Sequence, residues 1–177
     1  MEAERPDLWA KDLLRQMYRR ADVELRKHQL EVLEAMSLMG AVVYVARVGG
    51  GKTDAYTLPA YRQLDGITVV IQPLRALMDD TAARLRAWGI KTAVWDGDKP
   101  EGNVSVVLVT PEGMGSNTSD FFINRQRERH KLDRVVLDEA QEVLVSKDFR
   151  PKGYQDIGQR IDKRISKLKA EVDTVLM

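Results

Sequence analysis

Ala46-Arg47-Val48-Gly49-Gly50-Gly51-Lys52-Thr53 is the stretch that most restricts what this chain can become. An apolar run, Ala41-Val42-Val43-Tyr44-Val45, precedes it, and a segment able to form a helix, Asp54 to Gln63, follows it. Strand, glycine loop, Lys-Thr and helix is the context in which a loop can cradle phosphate. Glycines let successive backbone N–H groups turn inward as an anion nest, and the helix N-terminus adds partial positive charge. Lys52 would reach the β- and γ-phosphates as a point charge, and the Thr53 hydroxyl would ligate Mg²⁺. A glycine turn that merely carries a lysine would not need the flanking strand and helix. The first glycine of the general GxxxxGK[ST] pattern is Ala46 here.

At 177 residues the chain suffices for one domain with a substantial core. Hydrophobic content of 44% and charged content of 31% are those of an ordinary soluble globular protein. No apolar run approaches the ~20 residues of a membrane helix, and Met1-Glu2-Ala3-Glu4-Arg5 does not read as a signal peptide. The absence of cysteine excludes disulfides and thiolate zinc sites in this chain, and fits an intracellular place, nuclear or cytoplasmic. A net charge of +1 makes no bulk case for nucleic acid, so any such case rests on local sites. His28 and His130 stand too isolated for a metal site.

Apolar spacing predicts a helix over 7–20 with Leu8, Leu13, Leu14 and Met17 on one face. A second helix, 24–39, carries Leu25, Leu30, Leu33 and Met36 and stops at Gly40. Strands are expected at 41–46, 67–71, 92–95, 104–109, 132–137 and 172–177; further helices at 73–88, 120–131 and 155–170; and a loop at 113–118. Alternating strands and helices imply an α/β fold with a mainly parallel sheet covered on both faces. Ligands of such sheets lie beyond the C-terminal ends of the strands, where the glycine loop falls.

A second acidic element completes the picture. Leu132 and Val135-Val136-Leu137 lead into Asp138-Glu139-Ala140-Gln141. On its own an Asp-Glu pair after a strand is a common helix cap. After a phosphate loop, Asp138 would hold Mg²⁺ through its water shell and Glu139 would polarise an attacking water.

These motifs, in this order, resemble the first RecA-like domain of superfamily 2 helicases, and among them the RecQ-type DNA helicases. Ala46 to Thr53 matches the helicase form AxxGxGKT. Leu25-Arg26-Lys27-His28-Gln29 is similar to the motif ahead of the glycine loop whose glutamine reads the adenine edge, a role its amide chemistry allows. Val70-Ile71-Gln72-Pro73-Leu74-Arg75-Ala76-Leu77-Met78-Asp79-Asp80 and Val109-Thr110-Pro111-Glu112 look like the family's two DNA-backbone motifs. Asp148-Phe149-Arg150-Pro151 resembles the end of the RecQ aromatic-rich loop.

The resemblance implies a three-layer α/β/α RecA-like P-loop domain over 23–177, with a helical extension at 1–22. It implies catalytic roles for Lys52, Asp138 and Glu139, and metal ligation by Thr53 and Asp138. Nucleotide would be bound by Arg26, Gln29, Gly49, Gly50, Gly51, Lys52, Thr53, Asp54 and Gln141. Single-stranded or partly duplex DNA would meet Pro73, Arg75, Thr110, Pro111, Glu112, Phe149 and Arg150. The implied cofactors are ATP and Mg²⁺. The implied partner is a second RecA-like domain bearing an arginine finger, expected beyond Met177, so that hydrolysis by this chain alone is expected to be slight.

Three departures stand out. Gln141 replaces the usual histidine of the acidic motif. The Glu142–Lys147 loop lacks the family's tryptophan and histidine, which reduces base stacking. The chain ends before the next family motif. Two alternatives follow: another superfamily 2 motor acting on RNA or duplex, or a degenerate, non-catalytic nucleotide-binding module.

Overall fold

The computed structural model describes residues 5–39, 41–47, 49–98, 100, 102–139 and 173–176, the last four as backbone only. Six strands form one sheet: β1 (Ala41–Val43), β2 (Ile67–Ile71), β3 (Thr92–Val94), β4 (Val106–Val109), β5 (Leu132–Leu137) and β6 (Asp173–Leu176). Their order is β1-β6-β5-β2-β4-β3 and every pair is parallel. The helices are α1 (Ala10–Tyr18), α2 (Lys27–Leu38), α3 (Lys52–Arg62), α4 (Arg75–Ala87), α5 (Pro111–Met114) and α6 (Asn117–Glu128), with a 3-10 turn at Pro6–Leu8.

Two cores flank the sheet and define three layers. On one face Val70, Val106, Leu108 and Val136 pack with Leu14, Met17, Leu33, Tyr56, Met78 and Leu85 from α1 to α4. On the other, Val69, Ile71, Val107, Val109, Val135 and Leu137 meet Met114, Phe122 and Ile123 from α5 and α6. Alternate residues of each central strand go to opposite cores, which is why Val69-Val70-Ile71, Val106–Val109 and Val135-Val136-Leu137 read as unbroken apolar runs. The first helix packs into the first core, where Ala10, Leu14 and Met17 are almost wholly buried.

The predicted elements hold best in the middle of the sheet. β2 and β5 coincide with the expected spans. β1 stops at Val43 because it is an edge strand paired with β6 alone among the described residues. The first helix begins only at Ala10; Leu8 lies in the 3-10 turn, 68% exposed, so it leaves the apolar stripe to Ala10, Leu14 and Met17. The second begins at Lys27, since Arg26 is extended and caps it. The third begins at Lys52, so Lys52 and Thr53 form its first turn. The loop expected at 113–118 is instead two helix ends: Thr110 accepts from the Gly113 N–H to cap α5, and Ser116 accepts from the Ser119 N–H to cap α6. The predicted stop at Gly40 and the helix at 155–170 lie outside the described residues.

Candidate nucleotide-binding site

The glycine loop leaves β1 and feeds α3 at the C-terminal edge of the sheet. Gly49 and Gly51 have φ of +72° and +80°, the left-handed region that glycine enters without strain. Gly51 has a second reason to be glycine: a β-carbon there would land on the Gln29 amide nitrogen. A web from α1 and α2 braces the loop. The Arg26 guanidinium donates to Gly49 O at 2.7 Å, and His28 Nε2 lies 3.0 Å from Gly50 O. Gln29 Nε2 donates to Gly51 O at 3.1 Å and to Asp54 Oδ2 at 3.0 Å, while its Oε1 accepts from Arg26 N–H at 3.0 Å. Tyr18 O–H donates to the other Asp54 oxygen at 2.8 Å.

β5 delivers the acidic pair to the same place. Lys52 Nζ is 3.5 Å from Glu139 Oε1, in a partly buried contact across 87 positions of sequence. Glu139 has φ of +52°, a conformation that costs a non-glycine residue about 1–3 kcal/mol and that concentrates at functional sites. Asp138 is 6% exposed; its Oδ1 accepts from the Glu139 N–H at 3.0 Å and its Oδ2 from Gln72 Nε2 at 2.9 Å. Burial raises the Asp138 pKa above the ordinary carboxylate value, with Glu139 adding to the rise; the Gln72 hydrogen bond opposes it, as does Lys52.

All of these groups but His28 and Gln29 line a cleft of about 350 Å³. Of the nucleotide-binding set read from sequence, Arg26, Gly49, Gly50, Gly51, Lys52, Thr53 and Asp54 line it with Asp138 and Glu139. Gln29 does not. It is 2% exposed, with its amide committed beneath the loop, so reading an adenine edge would require it to give up Gly51 or Asp54. Among the described residues no three His, Cys, Asp or Glu side chains converge as a metal cluster. A divalent ion at Thr53 and Asp138 would therefore take most of its ligands from water and phosphate, the habit of Mg²⁺. The donor set fits that ion.

The two backbone-contact candidates meet a short way along the same edge. Arg75, exposed at the start of α4, donates to Trp95 O at 3.1 Å. The Trp95 ring lies against Gly113, and a Gly113 β-carbon would sit 3.4 Å from it. Thr110, whose hydroxyl oxygen accepts from the Gly113 N–H at 3.1 Å, is thus joined to Arg75 through Trp95. Pro73 and Pro111 are buried, Thr110 and Glu112 are half-buried, and Arg75 is exposed. Gln141, Phe149 and Arg150 lie outside the described residues.

Sequence reasoning missed Tyr18, Gln72, Thr81 and Arg84, which also line the cleft, and Trp95. Tyr18 and Gln72 reach Asp54 and Asp138 across 36 and 66 positions, and periodicity carries no signal over such distances. A buried aromatic closing a strand was the available hint for Trp95.

Comparison with known proteins agrees with this geometry. The chain is 32% identical over 176 residues to ATP-dependent DNA helicase hus2/rqh1 of Schizosaccharomyces pombe, matching 88% of the chain and 13% of that protein. It is 33% identical over 144 residues to ATP-dependent helicase SGS1 of Saccharomyces cerevisiae, matching 71% of the chain and 10% of that protein. The chain thus spans a small part of the relatives it matches. The fold superposes on the crystal structure of the DUF1998 helicase MrfA bound to DNA with a TM-score of 0.69 at 18% identity, covering 93% of this chain and 25% of that one. The model of the DEAD/DEAH box helicase family matches residues 26–177, and the chain belongs to that family.

Proposed function

We propose that residues 23–177 are the ATP-binding motor domain of a RecQ-like, ATP-dependent DNA helicase, with 1–22 as a helical extension, and that the domain binds Mg-ATP and contacts single-stranded DNA. The observation that carries this reading is the convergence on one cleft of Lys52, at the start of α3, with Asp138 and Glu139, which follow β5. The similarity to hus2/rqh1 and SGS1 supports it.

Lys52 would leave Glu139 for the β- and γ-phosphates, and the loop N–H groups would take the phosphate oxygens. That exchange frees Glu139 to orient the attacking water and accept its proton. The Thr53 hydroxyl and Asp138 would hold magnesium, which would supply charge neutralisation to the phosphates. Arg26 and Tyr18 stand on the cleft wall where the base would lie, and Gln29 and Asp54 serve the site through the loop they brace. Gln141 belongs to the same reading by its place in the acidic motif. A second RecA-like domain would complete the site with an arginine finger, worth roughly 10³–10⁵ in rate, so the chain alone should hydrolyse ATP slowly.

The uncapped first turn of α4, the Arg75 guanidinium and the Thr110 hydroxyl proton offer donors to successive phosphates of one strand. Phe149 and Arg150 would extend that contact, and the location implied is intracellular, nuclear or cytoplasmic. The test is fluorescence anisotropy of labelled single-stranded DNA and RNA with and without Mg-AMPPNP. DNA binding that tightens with the nucleotide and weakens in Arg75→Ala supports the reading. Equal or tighter binding of RNA, or no nucleotide response, contradicts it.

A further inference from the structure

Gln72 closes β2, and its side chain is 1% exposed. Its backbone N–H donates to Val109 O at 3.0 Å, and the Asp138 N–H donates to Ile71 O at 3.0 Å. The sheet itself therefore aims the Gln72 amide at the Asp138 carboxylate. Nε2 donates to Asp138 Oδ2 at 2.9 Å and approaches Thr81 Oγ1 at 3.3 Å. The other end of the amide, Oε1, is buried and has no hydrogen-bond partner among the described residues. Gln72, Thr81 and Asp138 all line the cleft that holds Lys52 and Thr53.

A buried amide oxygen is normally satisfied by protein or by ordered water. Turning the amide over would not help, because the oxygen would then face the Asp138 carboxylate and the donor would lose it. What the oxygen lacks is a donor, and a water bound to a cation is a strong one because the metal polarises its O–H bonds.

We propose that Gln72 is a positioning residue of the metal site: Nε2 fixes the Asp138 carboxylate and Oε1 accepts a hydrogen bond from a water on the bound magnesium ion. The inference rests on the Mg-nucleotide reading above. Outer groups of this kind orient metal ligands, and their loss typically weakens metal binding about 10–100-fold. Gln72 also stands next to Pro73 and three residues before Arg75, so a shift of the strand-contacting segment would reach the metal carboxylate through a single side chain.

The test is titration of the chain with a fluorescent ATP analogue, once with Mg²⁺ and once with EDTA, for wild type, Gln72→Met and Lys52→Ala. Gln72→Met keeps the length of the side chain and removes both amide functions. We expect it to weaken Mg-dependent binding about 10–100-fold, raise the Mg²⁺ concentration required, and leave binding in EDTA within about twofold. The EDTA arm reports on the fold and the phosphate loop, which a merely structural role for Gln72 would disturb equally. If Gln72→Met does not fold by circular dichroism, Gln72→Asn, which retains the amide but withdraws it, should show the same selective loss. Mg-dependent binding equal to wild type, or equal losses in both arms, overturns the inference. A wild type that binds in neither arm refutes the nucleotide reading itself, and Lys52→Ala binding like wild type would do the same.

Discussion

Replacing Gln29 with alanine separates two roles that its sequence context leaves together. If the amide faces a base, its loss costs affinity and little else. In the structure the amide is buried and makes three hydrogen bonds: from Arg26 N–H, to Gly51 O and to the Asp54 carboxylate. The first belongs to the N-terminal cap of α2, and such a cap is worth about 0.5–2 kcal/mol. A hydrogen bond to a neutral acceptor adds about 0.5–1.5 kcal/mol, and one to a carboxylate about 1.5–3. Because these bonds share one side chain they do not add fully, and we expect a loss of about 2–4 kcal/mol. For a domain of this size that lowers the melting temperature by about 4–16 °C. Urea unfolding followed by circular dichroism should show a lower midpoint with an unchanged slope. A midpoint within about 0.5 kcal/mol of wild type, together with lost adenine-nucleotide affinity, would refute the bracing role and return Gln29 to the base.

Other perturbations follow from the same contacts. Gly51→Ala forces a β-carbon into a left-handed backbone and onto Gln29; the backbone alone costs about 1–2 kcal/mol, and both urea stability and nucleotide binding should fall. Tyr18→Phe removes only the hydrogen bond to the Asp54 carboxylate and should cost about 1.5–3 kcal/mol in the same assay, a direct measure of how firmly α1 is joined to the loop. Asp138 has a raised folded pKa, so the folded chain holds that proton more tightly than the unfolded one. Its contribution is present below the unfolded carboxylate value of 3.8 and is lost as pH rises through the folded pKa. Asp138→Asn should flatten that part of the pH profile of urea midpoints and stabilise the metal-free domain near neutrality by about 0.5–2 kcal/mol, at the expense of metal-dependent binding.

The centre of the fold was legible because burial there is two-sided. Ile67–Ile71 and Leu132–Leu137 can be little other than inner strands of a covered sheet, and they are. The candidate site was legible because glycines and a lysine before a helix, and paired carboxylates after a strand, both belong at the C-terminal edge of such a sheet, and Lys52 and Glu139 meet there. Less visible were boundaries set by partners distant in sequence. β1 ends at Val43, where its pairing with Leu176 of β6, its one described neighbour, also ends. Thr110 and Ser116 are ordinary cap residues, but the glycines between them read more strongly as loop. Gln29 shows the limit most clearly: its residue type suits both a base and a loop, and only the placement of Gly51 and Asp54 decides where its amide points.

The central claim is that Lys52, Thr53, Asp138 and Glu139 form one Mg-nucleotide site. Calorimetric titration of Mg-ATP into wild type and Lys52→Ala tests it most directly. The account predicts saturable one-to-one binding by wild type, weakened when Mg²⁺ is removed and lost in a folded Lys52→Ala. Binding that is indifferent to both Lys52 and Mg²⁺, or none at all in a folded wild-type chain, would contradict it.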